Sequence, residues 1–482
     1  MNSQVGTLPE DNHQVITHRW QDIRVWIALF FLIRLIGITN APLETGHNWR
    51  QSLTAMIARN FFEHRANLLY PEIDYAGAGS GIIGSEFPFF NYLIYLVSLV
   101  FDYSHWYGRL INLVVSSIGI YFFYKLISKL ANSRIAFNAS IVLLSSIWFA
   151  FSRKIMPDTF SISLVIIGLY YGYKYLMSGG WSRLLLFFIL TTLGVLCKIP
   201  ALSLMAAIGL LIFVKEISLP RKIVLWIAAG VGFGIVSLWY FYWVPYLVET
   251  YHNQLYFPRG LIEGLKEIIP LADGFFRNFY FNAFHSYAAF AAFLAGCYFL
   301  FRGKYTYLKA GVLIVTIFFL LFILKTGIVF PLHNYYIIPF VPVMALVAGI
   351  ALEKLPAKYL VLALLIIVAE GIVNQQHDFF VFRNAYKKSL EVITNKSIGP
   401  DELIVINGGQ SPQEIYFAHR KGWSVTNDQI TPASLTQYKN AGASYLIINI
   451  RTFPDFGNYL PLVHIGRDYD VFSLKDYIPP VQ

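Results

Sequence analysis

Long apolar runs separated by short polar joints fill the chain to about residue 373, and a mixed polar pattern fills the rest. A helix that crosses a bilayer needs about 20 apolar residues, with a range of roughly 17–25. Apolar runs at 23–40, 107–124, 135–151, 159–176, 184–197, 200–214, 223–243, 286–301, 309–324, 335–352 and 358–373 predict about eleven spans. Phe87–Phe101 is apolar but short and opens at Pro88, which predicts a re-entrant or interfacial helix. Beyond Asn374, Glu402–Asn407, Gly408-Gly409 and Pro412–Arg420 read as strand, turn and helix. A helix at 434–441 and a strand Tyr445–Ile450 repeat that order, with further strands near 461–466 and 469–474. Gly408-Gly409-Gln410-Ser411 lacks a Walker or dinucleotide pattern and reads as a tight turn with a helix cap. The pattern therefore predicts an α-helical polytopic membrane region, 1–373, and a small α/β domain, 374–482, outside the membrane.

Composition agrees. The 482 residues are 56% hydrophobic and 13% charged, where a soluble protein carries about a quarter charged residues. The net charge of +10 is spread over short joints between apolar runs. That distribution speaks for membrane orientation and contact with anionic lipid, and against nucleic acid. With 87–101 re-entrant, one side of the membrane receives Arg24, Lys125, Lys129, Arg134, Lys174, Arg183, Arg221, Lys222, Arg302 and Lys354. The other side receives most of the loop acids, among them Glu44, Glu63, Asp74, Glu86, Asp158 and Glu267. By the positive-inside rule the N-terminus is cytoplasmic, and 41–106, 152–158, 244–285, 325–334 and the C-terminal tail face outward. The polar stretch to Gln21 precedes the first apolar run without a small-residue cleavage pattern, so the first helix should remain as an anchor. Cys197 and Cys297 fall in or beside apolar segments and read as inert core thiols.

The outward side then holds charges that call for a reason. In Arg153-Lys154-Ile155-Met156-Pro157-Asp158, two cations and a carboxylate interrupt apolar runs on the side that should avoid positive charge. Charges at such a boundary mark substrate paths, and two cations beside an acid suit a phosphate leaving group and a proton acceptor. The first outward loop adds Glu44, His47, Arg50 and Glu86, a carboxylate-rich rim; Glu86 also suits a cap on the helix that follows. Lys198, in Cys197-Lys198-Ile199-Pro200, reads equally as a snorkelling anchor and as a phosphate contact. Lys325, His333 and Tyr336 form a donor cluster at an outer helix mouth, which also suits an aromatic belt with a snorkelling lysine. No metal-ligand spacing supports zinc; a divalent metal held by Glu86 and His285 stays an open alternative, and no cofactor is required.

In order and sidedness these parts resemble the membrane-embedded C-type glycosyltransferases that use polyprenyl-phosphate sugars, including the protein mannosyltransferase and lipid A aminoarabinose transferase groups. The resemblance runs over the whole membrane region: the acidic first outward loop, Glu86-Phe87-Pro88, Gly108-Arg109-Leu110, Met156-Pro157-Asp158, Cys197-Lys198-Ile199-Pro200 and His333-Asn334-Tyr335-Tyr336 before Pro339. It implies transfer of a sugar from a polyprenyl-phosphate donor to an envelope lipid, glycan or protein on the outer face of the inner membrane. Asp158, Glu44 and Glu86 are the catalytic candidates; His47, Arg50, Arg153, Lys154, Lys198, Lys325, His333 and Tyr336 are the substrate-binding ones. One departure concerns the base. Such families carry Asp or Asp-Glu in the first loop, whereas alignment on Ile57-Ala58-Arg59 puts Arg50-Gln51 there, and distance from the first helix favours Glu44. The base stays open between Glu44 and Asp158. A polysaccharide polymerase or ligase is the nearest alternative. A lipid-linked oligosaccharide flippase is disfavoured, because the sequence shows no internal repeat and its unusual charges gather at the rim rather than the midplane.

Overall fold

The computed structural model describes residues 21–255, 258–457, 460–475 and 477–478; the polar stretch assigned to the cytoplasm lies outside them. All eleven apolar segments are helical, but unequally. Trp106–Leu130, Pro157–Ser178, Leu219–Tyr251 and Thr306–Thr326 are each long and apolar enough to cross a membrane, and Leu261–Asn282 with Tyr287–Arg302 makes a fifth if a 92° bend is allowed. The remaining segments are shorter or broken. Ser133–Ser145 stops because Ser146 turns extended (ψ −169°), which frees Ile147 N–H to donate to Ala283 O at 3.1 Å. Trp181–Cys197 stops where Lys198 turns extended ahead of Pro200, which has no N–H to carry the helix on.

Pro157–Ser178 is the most buried of the long helices, 72% against 17% for Thr306–Thr326. Its neighbours reach it through missing side chains: a Cβ on Gly194 would lie 2.9 Å from Ser161 O. Asp158, in its first turn, is thereby held at the buried start of this helix. The helix Phe89–Phe101 matches the short segment expected, and its last turn leaves Leu99, Val100 and Phe101 exposed.

The tail forms one five-stranded sheet, β1 (Leu403–Ile406), β2 (Gly422–Ser424), β3 (Ala443–Asn449), β4 (Leu462–His464) and β5 (Tyr469–Ser473), in the order β2-β1-β3-β5-β4. β1 runs parallel to β2 and β3, and β3-β5-β4 are antiparallel. The expected strands and the helices Gln413–Ala418 and Pro432–Asn440 are present; β2 is an addition too short to show a pattern. Gly408-Gly409 is a turn, closed by the Ser424 hydroxyl donating to Gly409 O at 2.9 Å.

Period-two alternation splits the sheet between two cores. Val405, Leu446, Ile448 and Phe472 face Leu435 on the tail's own side. Ile404, Ile406, Ile447 and Val471 instead join Leu43, Leu53, Met56 and Ile57 of the first outward loop. Arg59, on the loop helix Asn48–Glu63, ties the two further: it pairs with Asp74 at 3.0 Å and donates to Tyr416 O at 3.0 Å.

Candidate active site

Pro157 starts its helix with φ preset and no N–H to leave unpaired, and Asp158 beside it faces the positive end of the helix dipole. Asp158 is buried, 4% exposed. Its Oδ1 lies 3.6 Å from Lys198 Nζ, while its Oδ2 has no hydrogen-bond partner. Lys198 reaches it from the broken end of Trp181–Cys197 and lies equally near Glu86 Oε1, at 3.7 Å. Glu86 is brought there by its own strand of chain: Phe87 N–H donates to Leu196 O and the Trp239 indole to Ser85 O, both at 3.1 Å. It is not a helix cap, since Pro88 holds that position; its second partner is Arg50. Tyr335 and Tyr336 complete the wall, their ring centres 5.6 and 5.8 Å from Lys198 Nζ. Two carboxylates thus share one lysine, and one carboxylate oxygen is left over.

A histidine-rich flank adjoins this cluster. His47 Nε2 is 2.8 Å from Asn334 Oδ1, its ring 4.8 Å from Tyr335 and 5.7 Å from His333, and His333 in turn lies 6.0 Å from Trp49. Burial, then the charge of Lys154, pushes the His47 pKa down to about 4. Burial and Lys198 lower His333 as well. Both shifts favour the uncharged ring, which can hydrogen-bond without adding charge.

Other candidates lie elsewhere. Glu44 is 2% exposed, ion-paired with Arg109 and bonded by Gln51 Nε2 at 3.2 Å. Burial would raise its pKa, but Arg109 and Lys154 outweigh that and hold it below the usual carboxylate range. Arg153 lies flat against Phe379, 3.9 Å from the ring centre. Lys154 donates to Gly46 O at 2.7 Å and pairs with Asp378 at 3.3 Å. Among the described residues, neither side chain pairs with Asp158, Glu86 or Lys198. Lys325 is exposed at the end of Thr306–Thr326 and joins no cluster. His285 is buried, with no hydrogen-bond partner at either ring nitrogen, and no ion pair links it to Glu86. No group of three or more His, Cys, Asp or Glu among the described residues could hold a metal, so the donor set proposed for a divalent ion is not assembled here.

Several participants carried little or no functional signal in the sequence. Asn112 is one polar residue in an apolar helix, yet its side-chain amide donates to Phe151, Lys154 and Met156 carbonyls at 2.9–3.1 Å and so fixes the turn that leads to Asp158. A side-chain amide inside an apolar run was the available clue. Arg109 and Tyr335 sat inside quoted motifs without a role, and Asp378 lay in the polar stretch after the last apolar run.

Similarity to known proteins falls on these parts. The model of the family described as dolichyl-phosphate-mannose-protein mannosyltransferase matches residues 85–243, the stretch that carries Glu86, Asp158 and Lys198. Apo ArnT from Cupriavidus metallidurans superposes with a TM-score of 0.61 at 11% identity, over 94% of this chain and 98% of that one. The same protein bound to undecaprenyl phosphate gives 0.59 at 12%, over 96% and 100%. The apo oligosaccharyltransferase of Archaeoglobus fulgidus gives 0.55 at 13%, over 89% and 70%. No curated protein sequence matches the chain. The chain thus has the fold shared by ArnT and the archaeal oligosaccharyltransferase.

Proposed function

We propose that this protein transfers a sugar from a polyprenyl-phosphate donor to an acceptor hydroxyl on the outer face of the inner membrane, the acceptor being an envelope lipid, glycan or protein. One observation carries the reading: Asp158 keeps an unpartnered, buried oxygen while Lys198 holds its other oxygen 3.6 Å away. That oxygen takes the proton of the acceptor hydroxyl as the hydroxyl oxygen bonds to the anomeric carbon. The bond from that carbon to the phosphate oxygen breaks with its electron pair, and the phosphate leaves on the prenyl chain. Lys198 and Arg50, with neutral His333 and the Tyr336 hydroxyl as hydrogen-bond donors, steady the charge that grows on the leaving oxygen; fixed donors in a dry site act more strongly than in water. Glu86 holds both cations in place. Glu44, closed off by Arg109, serves better as a support than as the base.

The test is transfer of labelled sugar from polyprenyl-phosphate donors in proteoliposomes. Asp158→Asn should stop turnover with insertion intact. Near-full turnover in Asp158→Asn beside a dead but folded Glu44→Gln would move the base to Glu44, and full activity in both would end the proposed chemistry.

A further inference from the structure

Asp378 is partly buried, its side chain 12% exposed, and it stands apart from the Asp158–Lys198 group. It lies on the one-turn helix Gln376–Phe379, in the strap that joins the last apolar helix, Ala357–Val373, to the tail. This strap crosses the first outward loop and grips it repeatedly. Lys154 Nζ, 3.3 Å from Asp378 Oδ1, also donates to Gly46 O at 2.7 Å and to Asp378 O at 3.3 Å. The Thr45 N–H and hydroxyl both donate to Val381 O at 3.0 Å. Glu44 forms an antiparallel bridge with Phe382. Phe379 covers the Arg153 guanidinium on one side and stacks on Phe149, ring centres 5.3 Å apart, on the other.

What lies just past this crossing gives it meaning. Directly after Gly46 the chain turns left-handed at His47 (φ 54°) and enters the helix that presents Arg50 to Glu86. The direction of that helix entry depends on where residues 44–46 are held. Gly46 shows how closely they are held: a Cβ there would fall 1.6 Å from Asp378 Oδ1 and 3.4 Å from Lys154 Nζ. No residue with a side chain can occupy position 46 while Asp378 keeps its place.

We propose that Asp378 is a positioning residue: with Lys154 it latches the strap onto loop 44–46 and so holds His47 and Arg50 in register with Asp158 and Lys198. The latch itself stands on geometry; its kinetic consequence rests on the transfer reading above. Arg153 and Lys154 then hold the strap rather than the phosphate, which accounts for two cations buried where the positive-inside rule disfavours them.

The experiment uses the full chain in nanodiscs, comparing wild type with Asp378→Asn, Gly46→Ala, Lys154→Met, the Asp378→Asn/Lys154→Met pair, and Lys475→Gln as a distant control. Hydrogen exchange reads the latch directly. Amides of 44–47 should exchange at least about tenfold faster in the three latch variants and not in the control, because the segment opens locally. Turnover should fall about 100-fold through kcat, as for a small misplacement of reacting groups. KM for the lipid-phosphate sugar and binding of undecaprenyl phosphate, used as the probe, should stay within about twofold, because Lys198, which the latch does not touch, remains. The double variant should be no slower than the slower single one, since both changes open one contact. Unchanged exchange at 44–47 in Asp378→Asn overturns the latch whatever the substrate. Faster exchange with undiminished kcat, or a loss confined to donor binding, overturns the positioning role. A wild type inactive on every lipid-phosphate sugar, with exchange still faster in the variants, overturns the transfer reading and leaves the latch standing.

Discussion

Two sets of buried charges flank the first outward loop. In one, Glu44 and Arg109 face each other with side chains 3% and 0% exposed, and Gln51 takes up further hydrogen-bonding capacity of the carboxylate. In the other, Lys198 is stretched between Glu86 and Asp158 at 3.6–3.7 Å, one carboxylate is 18% exposed, and one oxygen of the other is unused. Both sets sit at or beside helix ends and both are nearly dry. The difference is slack. An isolated pair sets one charge against one charge, and breaking it strands the partner; a lysine shared by two carboxylates can exchange one of them for a phosphate without leaving any group alone. Burial of a charge is therefore a poor guide to its role, and the sharing of one cation between two acids is a better one.

The largest effect that would test this contrast is expected at the slack set. Asp158→Asn should lower kcat by about 10³-fold or more, as loss of a positioned base does, with unchanged protein level on a membrane blot. Retained turnover would place the base elsewhere. Next comes the closed pair. Arg109→Met should destabilise the fold by about 3–5 kcal/mol, the cost of leaving a buried partner uncompensated. It should show as lost thermal resistance and lower yield, with near-normal kcat in whatever remains folded; a large kcat loss in stable protein would make the pair catalytic instead. Glu86→Gln should be milder, about tenfold in kcat/KM or roughly 1.4 kcal/mol, because Lys198 keeps Asp158 and only its hold on Arg50 weakens.

The smallest effect belongs to a third grouping, half exposed, on the seam between loop and tail. His419 lies between Glu391, 3.0 Å from Nδ1, and Glu63, 2.9 Å from Nε2. Its pKa is raised by hydrogen bonds to Glu391 and then Glu63, so its contribution is complete below the unfolded-state value and fades as pH rises through the higher folded one. Glu391 is lowered chiefly by its bond to His419. On Glu63 burial acts upward but His419 and Arg59 outweigh it. The carboxylates' contribution is thus present above their unfolded-state values and lost as pH falls through the folded ones. Docking of the seam should be firmest between the two limits by less than about 1 kcal/mol, given the exposure. Exchange of amides 60–64 followed from about pH 5 to 9 checks it, and His419→Gln should flatten the profile.

Much of this architecture was legible before any coordinates, and the reason differs by element. Apolar runs marked the eleven long segments because lipid-facing and core-facing helices both need them, but not the more polar helices Leu261–Ile268 and Ser389–Ser397, and the breaks at Ser146 and Lys198 depend on partners more than a hundred residues away in one case and on a single proline in the other. The tail's strands alternated clearly except β2, which at three residues is too short to show a period. Lys198 stood out as a cation on the disfavoured side, Asp158 as an acid beside two such cations and Glu86 as part of an acidic rim, and the structure gathers the three. The same reasoning could not separate Glu44 from Asp158 or foresee that Arg153 lies under Phe379. Which acid meets which base is set by contacts between distant segments, and hydropathy carries no record of that.

The core shared by the outward loop and the sheet also orders events in time. Leu53 and Met56 bury themselves against Ile404, Ile415 and Ile447, and Arg59 bonds to Tyr416, 357 residues further on. At roughly 5–20 residues per second, synthesis needs about 20–70 seconds to travel that distance. The membrane helices can be inserted during this interval, while the segment bearing His47 and Arg50 still lacks the surface it folds against. The surface that buries Leu53 and Met56 is therefore complete only once the strands β1 and β3 have been made, and the helix Asn48–Glu63 settles after them.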